Sequence, residues 1–190
     1  MAVLLCCRER SGWPADAGAA AAKAEPCEVC HGKDGVSTDP AVPSLAGQHK
    51  LYTVRELQAY KKGSRKNAAM NTIARSMTDK EMSGLANYFA GLRPMTAPGN
   101  SLPAAPGGEQ GPSLFAQGEV SYSFCQNCHG PRGYGNQANP RIAGQQAPYL
   151  IEQLKAYKSG ARKSPIMSGI ASALDENEIK ALAAYMAALK

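Results

Sequence analysis

Two short segments of this sequence carry two cysteines and a histidine at the same spacing. Residues 27–31 read Cys-Glu-Val-Cys-His, and residues 125–129 read Cys-Gln-Asn-Cys-His. Two thiols three positions apart near a helix end can bind one edge of a porphyrin through thioethers, and the adjacent imidazole then points at the iron. The spacing therefore predicts covalent attachment of haem c at both segments.

In this interpretation the six residues have two roles. The residues that form thioethers are Cys27, Cys30, Cys125 and Cys128, and the proximal axial ligands are His31 and His129. A four-cysteine zinc site is one alternative, but it requires the two pairs to meet and leaves both histidines unexplained. A thioredoxin-like redox pair is another, but it requires a strand-helix-strand context that the sequence does not show.

The two motifs belong to a duplicated unit. Residues 43–92 align with residues 140–189 without a gap, and 21 of the 50 aligned positions are identical. Two unrelated stretches of this composition would match far less often, so the chain contains two copies of one unit.

Composition predicts where the copies begin and end. We expect an atypical N-terminal segment at 1–14, a first domain (domain 1) at 15–92, a linker at 93–112 and a second domain (domain 2) at 113–190. The linker contains five Pro and four Gly, a composition that disfavours helix and sheet. Each domain is small for one that must bury its own core, which favours a bound prosthetic group.

The pattern of apolar residues predicts an all-α fold. A terminal helix in each copy repeats apolar residues at helical spacing, and Thr78 with Glu81, like Asp175 with Glu178, has the spacing of a capping box. Middle helices are predicted at 50–62 and 147–159, and first helices at 16–26 and 113–124. No stretch alternates as a half-buried strand does. The fold class is therefore two tandem helical domains.

Comparison of the copies selects the sixth iron ligand. Of the seven methionines, only Met70 and Met167 face each other in the alignment. We expect both to lie in irregular segments that cover a haem face and to complete His/Met ligation. The alternative is two core methionines. His49 aligns with Gln146 and is interpreted as a surface residue.

Further repeated residues are candidates for supporting each haem. A backbone carbonyl in the stretches that Pro43 and Pro140 open is expected to accept the Nδ1 proton of the nearby axial histidine, and the alternative is a simple turn. Gly47 and Gly144 are expected to let the backbone approach the porphyrin edge. The residues predicted to hydrogen-bond or neutralise the haem propionates are Tyr52, Tyr149, Arg65 and Arg162.

Charge and hydropathy limit the partners. The formal net charge is +6 and the pI about 9.0, which suits an acidic protein partner, an anionic membrane or a nucleic acid. The basic residues are scattered without a nucleic-acid-binding motif, so nucleic acid is set aside. No apolar run approaches the length of a membrane span, so any membrane association is expected to be peripheral.

These motifs resemble the bacterial dihaem cytochrome c4 family. Each Cys-x-x-Cys-His is followed by P-x-[LI]-A-G-Q, a tyrosine-bearing helix, G-x-R-K, a methionine and a terminal A-x-Y helix. The resemblance covers about residues 15–190. It implies two class I cytochrome c domains related by a pseudo-twofold axis, two haem c groups and a periplasmic location. Residues 1–14 do not resemble the usual family leader, and no clear export signal is visible.

The resemblance also implies partners. Family members carry electrons from a quinol-oxidising complex or a dehydrogenase to a terminal oxidase. One alternative is a dihaem electron-transfer subunit of a flavin-containing dehydrogenase, such as one that oxidises sulfide. A second alternative is a dihaem peroxidase, an enzyme that needs an open iron site and a general acid/base. The two matched methionines disfavour a peroxidase, so we expect an electron-transfer protein and no catalytic residues.

Overall fold

The computed structural model describes residues 16–94, 111–116 and 125–189. The predicted N-terminal segment, most of the predicted linker and part of the predicted helix at 113–124 lie outside the described residues. Within the described ranges the regular structure is entirely helical, which confirms the predicted fold class. Domain 1 contains α1 (Asp16–His31), α2 (Lys50–Lys62), α3 (Ala68–Arg75) and α4 (Asp79–Gly91). Domain 2 contains α5 (Gly111–Ala116), α6 (Cys125–His129), α7 (Ala147–Lys158), α8 (Met167–Ala173) and α9 (Glu176–Ala188). Helix α5 begins two residues before the predicted start of this domain at 113, so the end of the predicted linker is helical.

The first helix is longer than its sequence predicts. It continues through Pro26 and ends at His31, so both thiols lie inside the helix. Cys27 and Cys30 are three positions apart and therefore lie on one helix face, one turn from each other. In domain 2 the corresponding turn is α6, which ends at His129.

The middle and terminal helices agree closely with the predicted ones. Both predicted capping boxes are present: Thr78 accepts from the Glu81 N–H, and Asp175 accepts from the Glu178 N–H. The terminal helices bury the predicted faces. The buried residues on these faces are Met82, Leu85, Ala86 and Phe89 in α4, and Ile179, Leu182, Ala183 and Met186 in α9.

The two matched methionines lie in helices, so the predicted irregular segments are wrong. In domain 1 the Asn67 side chain accepts the Met70 N–H at 3.0 Å and begins α3. In domain 2 the Ser164 hydroxyl accepts the N–H of Met167, the first residue of α8, at 3.1 Å. Asn and Ser at these positions are ordinary helix-start signals that the sequence contained.

The P-x-[LI]-A-G-Q loops dock on the terminal helices through backbone hydrogen bonds. The Gly47 N–H donates to the Phe89 carbonyl at 2.8 Å, and the Gly144 N–H donates to the Met186 carbonyl at 2.9 Å. Gly47 has a φ of +69°, and a Cβ built on it would lie 2.5 Å from Pro94 Cγ. The glycine is needed for this turn and for the close contact with Pro94, and its approach to the porphyrin edge stays a prediction.

Candidate haem sites

Each histidine of the two motifs donates to a proline carbonyl of its own domain. His31 Nδ1 lies 2.7 Å from the Pro43 oxygen, and His129 Nδ1 lies 2.9 Å from the Pro140 oxygen. A carbonyl oxygen only accepts, so each Nδ1 carries the proton and each Nε2 presents a lone pair. Both hydrogen bonds expected from the sequence are thus present, and Nε2 is available to a metal.

The histidines are held neutral by their surroundings. Only 8 % of His31 and 7 % of His129 is exposed. Burial lowers the pKa of both imidazoles below the usual value, and the hydrogen bonds to the proline carbonyls oppose this shift. A neutral imidazole with an oriented Nδ1–H is the form in which histidine binds iron.

The four motif cysteines are unpaired thiols. Burial is the largest cause that raises the pKa of the Cys27 and Cys125 thiols, so both stay protonated near neutral pH. Among the described residues, no group of three or more His, Cys, Asp or Glu side chains is arranged to hold a metal ion. The two cysteine pairs are therefore not brought together, and the four-cysteine zinc site does not form.

Apolar side chains lie beside both matched methionines. Met167 and Cys125 are both half-buried and pack against the same core cluster of domain 2, and Cys27 packs against the core cluster of domain 1. Large apolar residues lie exposed next to the methionines: Ile73 is 48 % exposed one turn after Met70, and Ile166 is 61 % exposed immediately before Met167. Such surfaces suit contact with an apolar porphyrin face.

The four residues predicted to contact propionates all lie where the two domains meet. They form one hydrogen-bonded network with two further side chains, which the sequence had not singled out. The six members are Tyr52, Glu56 and Arg65 of domain 1 and Tyr149, Gln153 and Arg162 of domain 2.

One carboxylate serves two guanidinium groups in this network. Glu56 Oε2 accepts from Arg65 at 2.7 Å and from Arg162 at 2.8 Å. The equivalent position of domain 2 is Gln153, whose Oε1 accepts from the same two arginines at 2.8 and 2.7 Å. The two arginine side chains are 9 % and 8 % exposed. Two cations and one anion leave the network with one excess positive charge.

The network also holds two phenol groups. The Tyr149 hydroxyl accepts from Arg65 at 3.0 Å, and the Tyr52 hydroxyl accepts from Arg162 at 3.1 Å. Burial raises the pKa of Tyr52, so this hydroxyl keeps its proton. Within the described residues, neither hydroxyl donates its proton to a protein group. Two donors beside an excess positive charge fit the carboxylates of haem propionates.

Two glutamines that the sequence analysis did not select also join the domains. Gln48 and Gln145 are equivalent in the repeat, and each pairs with the backbone of the other domain through two hydrogen bonds. Beside them, His49 Nε2 lies 2.8 Å from the Tyr134 carbonyl across the interface. His49 is half-buried and this hydrogen bond is exposed, so His49 lies at the edge of the interface. The sequence did contain a signal for the two glutamines, because A-G-Q recurs in both copies.

No helix of the described ranges is both long and apolar enough to cross a bilayer.

Comparison with known proteins identifies the family. The family model described as Cytochrome c matches residues 15–93 and 109–190. The chain is 33 % identical over 191 residues to cytochrome c4 of Azotobacter vinelandii, covering 92 % of this chain and 89 % of that protein. It is 37 % identical over 180 residues to a thiosulfate dehydrogenase electron acceptor of Stutzerimonas stutzeri, covering 90 % and 82 %.

A solved structure agrees with these relatives. The chain superposes on the crystal structure of reduced recombinant cytochrome c4 from Pseudomonas stutzeri with a TM-score of 0.81 and 31 % identity, covering 92 % of this chain and 98 % of that one. Two tandem cytochrome c domains, each with a Cys-x-x-Cys-His motif, account for two haem c groups. The chain belongs to the cytochrome c4 family of dihaem electron-transfer proteins.

Proposed function

We propose that this protein is a periplasmic one-electron carrier between a quinol-oxidising complex or dehydrogenase and a terminal oxidase. The observation that carries the proposal is the repeated pairing of a buried, neutral histidine with a proline carbonyl, at 2.7 Å in domain 1 and 2.9 Å in domain 2. This pairing gives both domains the same oriented Nε2 lone pair. A duplicated site of this kind suits two haems that exchange electrons.

The ligand assignment follows the motif residues. The four thioethers belong to Cys27, Cys30, Cys125 and Cys128, and the axial pairs are His31 with Met70 and His129 with Met167. Once bound, haem c changes by one electron between its ferric and ferrous forms. With a histidine and a methionine as its two protein ligands, the iron would offer no open position to a substrate.

The protein supplies orientation and charge. Pro43 and Pro140 fix the planes of the axial imidazoles through their carbonyl oxygens. The domain-interface network supplies two guanidinium groups and two phenol donors for the propionates. The residues proposed for this role are Tyr52, Tyr149, Arg65 and Arg162, at the positions that the repeat predicted.

A sulfur-oxidising partner is the alternative that a specific observation favours. The relative from Stutzerimonas stutzeri is named a thiosulfate dehydrogenase electron acceptor. A dehydrogenase is therefore a second candidate donor, and a flavin-containing sulfide dehydrogenase is one member of that class. Reduction of the purified protein by each candidate donor, measured by stopped-flow absorbance, distinguishes thiosulfate dehydrogenase, a flavoprotein and a quinol-oxidising complex.

The first test of the proposal is haem stoichiometry and ligation. We expect the intact mass of protein matured with haem-attachment machinery in the periplasm to include two covalent haems. We also expect a low-spin ferric spectrum at both sites. A high-spin site with peroxide turnover would instead support the peroxidase alternative.

The second test replaces the methionines. Met70→Ala or Met167→Ala should leave both haems attached, lower the midpoint potential of one haem and let that haem bind carbon monoxide. Met77→Leu is the matched control, because the equivalent residue of domain 2 is Leu174. The axial assignment is wrong if neither alanine variant changes a midpoint or binds carbon monoxide.

A further inference from the structure

The peptide bond between Pro43 and Ser44 is hydrogen-bonded on both sides. Its carbonyl oxygen accepts the His31 Nδ1 proton at 2.7 Å, and its N–H donates to Gln145 Oε1 at 2.9 Å. His31 and this peptide belong to domain 1, whereas Gln145 belongs to domain 2. A single amide group therefore connects an axial histidine to a side chain of the other domain.

The same connection exists in the opposite direction. The carbonyl of Pro140 accepts the His129 Nδ1 proton at 2.9 Å, and the N–H of the same peptide, contributed by Arg141, donates to Gln48 Oε1 at 2.9 Å. Gln48 belongs to domain 1. Both series of hydrogen bonds thus cross the interface, so each axial histidine is linked to the glutamine of the other domain.

The glutamines are held firmly in these positions. Gln145 Nε2 also donates to the Ser44 carbonyl at 3.0 Å, and Gln48 Nε2 donates to the Arg141 carbonyl at 2.9 Å. Each glutamine therefore forms hydrogen bonds with both the N–H and the C=O of one residue. Gln48 is 7 % exposed and Gln145 is 8 % exposed, so water competes little for these contacts.

We propose that Gln48 and Gln145 are positioning residues for the axial histidine of the opposite domain. The proposal rests on the proposed ligation of iron by His31 and His129. An acceptor at the N–H of a peptide increases the electron density on its carbonyl oxygen, and neighbouring bonds in such a chain strengthen one another by about 10–30 %. A stronger acceptor at Nδ1 makes the imidazole a more basic ligand.

This arrangement gives each haem a dependence on the other domain. A more basic imidazole stabilises ferric iron and lowers the midpoint potential. Loss of Gln145 should therefore raise the potential of the haem in domain 1, and loss of Gln48 should raise that of the haem in domain 2. We expect a two- to threefold change in the ferrous-to-ferric ratio at fixed potential, which is about 18–28 mV at 59 mV per tenfold change.

The test uses leucine variants of the intact dihaem protein. Gln145→Leu and Gln48→Leu remove the acceptor at nearly constant size. Gln146→Leu is the matched control: Gln146 is 4 % exposed and also crosses the interface, but its Nε2 donates to the Ser37 carbonyl at 2.7 Å and does not contact the Pro43–Ser44 peptide. Gln145→Glu is the second variant, because it keeps an oxygen acceptor and must not raise the potential.

The readout is the Nδ1–H proton resonance of each axial histidine in ferrous protein labelled with ¹⁵N-histidine. The chain has three histidines, so the spectrum is simple. Gln145→Leu should move the His31 signal upfield and leave His129 unchanged, and Gln48→Leu should do the reverse. The midpoint of each haem, assigned with the methionine variants above, should rise in the same crossed pattern.

Two results would overturn the proposal while leaving the ligand assignment intact. In the first, a leucine variant shifts the haem of its own domain or both haems equally. In the second, Gln146→Leu shifts a histidine signal as much as Gln145→Leu does, which would make the effect a general one of interface packing. Loss of His/Met ligation in the unmodified protein would instead contradict the proposed function itself. If the leucine variants do not fold, Gln145→Glu provides the test, because a rise in the midpoint potential of the domain 1 haem in this variant would refute the proposal.

Discussion

Glu56 is a protein carboxylate that lies between two buried guanidinium groups, and its replacement by glutamine tests the interface directly. The carboxylate is 16 % exposed and its arginine partners are 9 % and 8 % exposed. Removing one partner of a buried ion pair costs about 3–5 kcal/mol when a charge is left alone. Glutamine keeps an acceptor in the same place, as Gln153 shows, so Glu56→Gln should cost less, about 2–3 kcal/mol.

The assay is equilibrium unfolding of the holoprotein in guanidinium chloride, followed by far-UV circular dichroism. With a slope of about 4 kcal/mol per molar, the expected loss lowers the midpoint by about 0.5–0.75 M. Separation of one transition into two would show that the domains no longer unfold together.

A double variant makes this prediction sharper. Gln153 accepts from the same two arginines at 2.8 and 2.7 Å, so Glu56→Gln combined with Gln153→Glu moves the carboxylate to an equivalent position. We expect this exchange to restore most of the lost stability, because the number of charges and hydrogen bonds is unchanged. If the double variant is as unstable as Glu56→Gln alone, the buried charge balance does not explain the effect.

Three other predictions concern helix ends, packing and docking. Hydrogen bonds from Thr78 lower the pKa of Glu81 to about 2. The capping box of α4 should therefore be fully formed above pH 4.5 and weaken as the pH falls towards 2. Thr78→Ala should raise the pKa of Glu81 partway towards 4.5, as measured by carbon NMR of the carboxyl group. A Cβ at Gly111 would lie 2.7 Å from a carbonyl oxygen of α9, so Gly111→Ala should destabilise the protein by about 1–3 kcal/mol in thermal unfolding. A Cβ at Gly84 in α4 would meet open space, so Gly84→Ala should stabilise the protein by about 0.5–1 kcal/mol. The net charge of +6 predicts that association with an acidic redox partner slows as salt rises, and stopped-flow rates independent of ionic strength would contradict this.

Much of each domain was predictable because its signals are local. The capping boxes at Thr78 and Asp175 and the apolar faces of α4 and α9 follow from spacing alone. A bond from His31 to this loop was also expected, because the loop recurs after both motifs, 12 residues after His31 and 11 residues after His129. The helical surroundings of Met70 were missed, although Asn67 supplied the start signal.

The domain interface was not predictable from the repeat. Alignment of the two copies shows that Gln48 and Gln145 are equivalent, but it cannot show whether each contacts its own copy or the other one. The same holds for Arg65, which donates to the Tyr149 hydroxyl across the interface at 3.0 Å. Only the relative placement of the two domains decides between these pairings, and no local pattern in the sequence encodes that placement.

The crossed glutamine and arginine contacts each occur twice, once in each direction, as in the isologous interface of a symmetric homodimer. Joining both halves in one polypeptide makes their association intramolecular and lets each half mutate alone. In a homodimer, positions 56 and 153 would be the same residue, so the arginines would share either two carboxylates or none. A network with one carboxylate therefore requires a chain in which the two copies can differ, as Glu56 and Gln153 do.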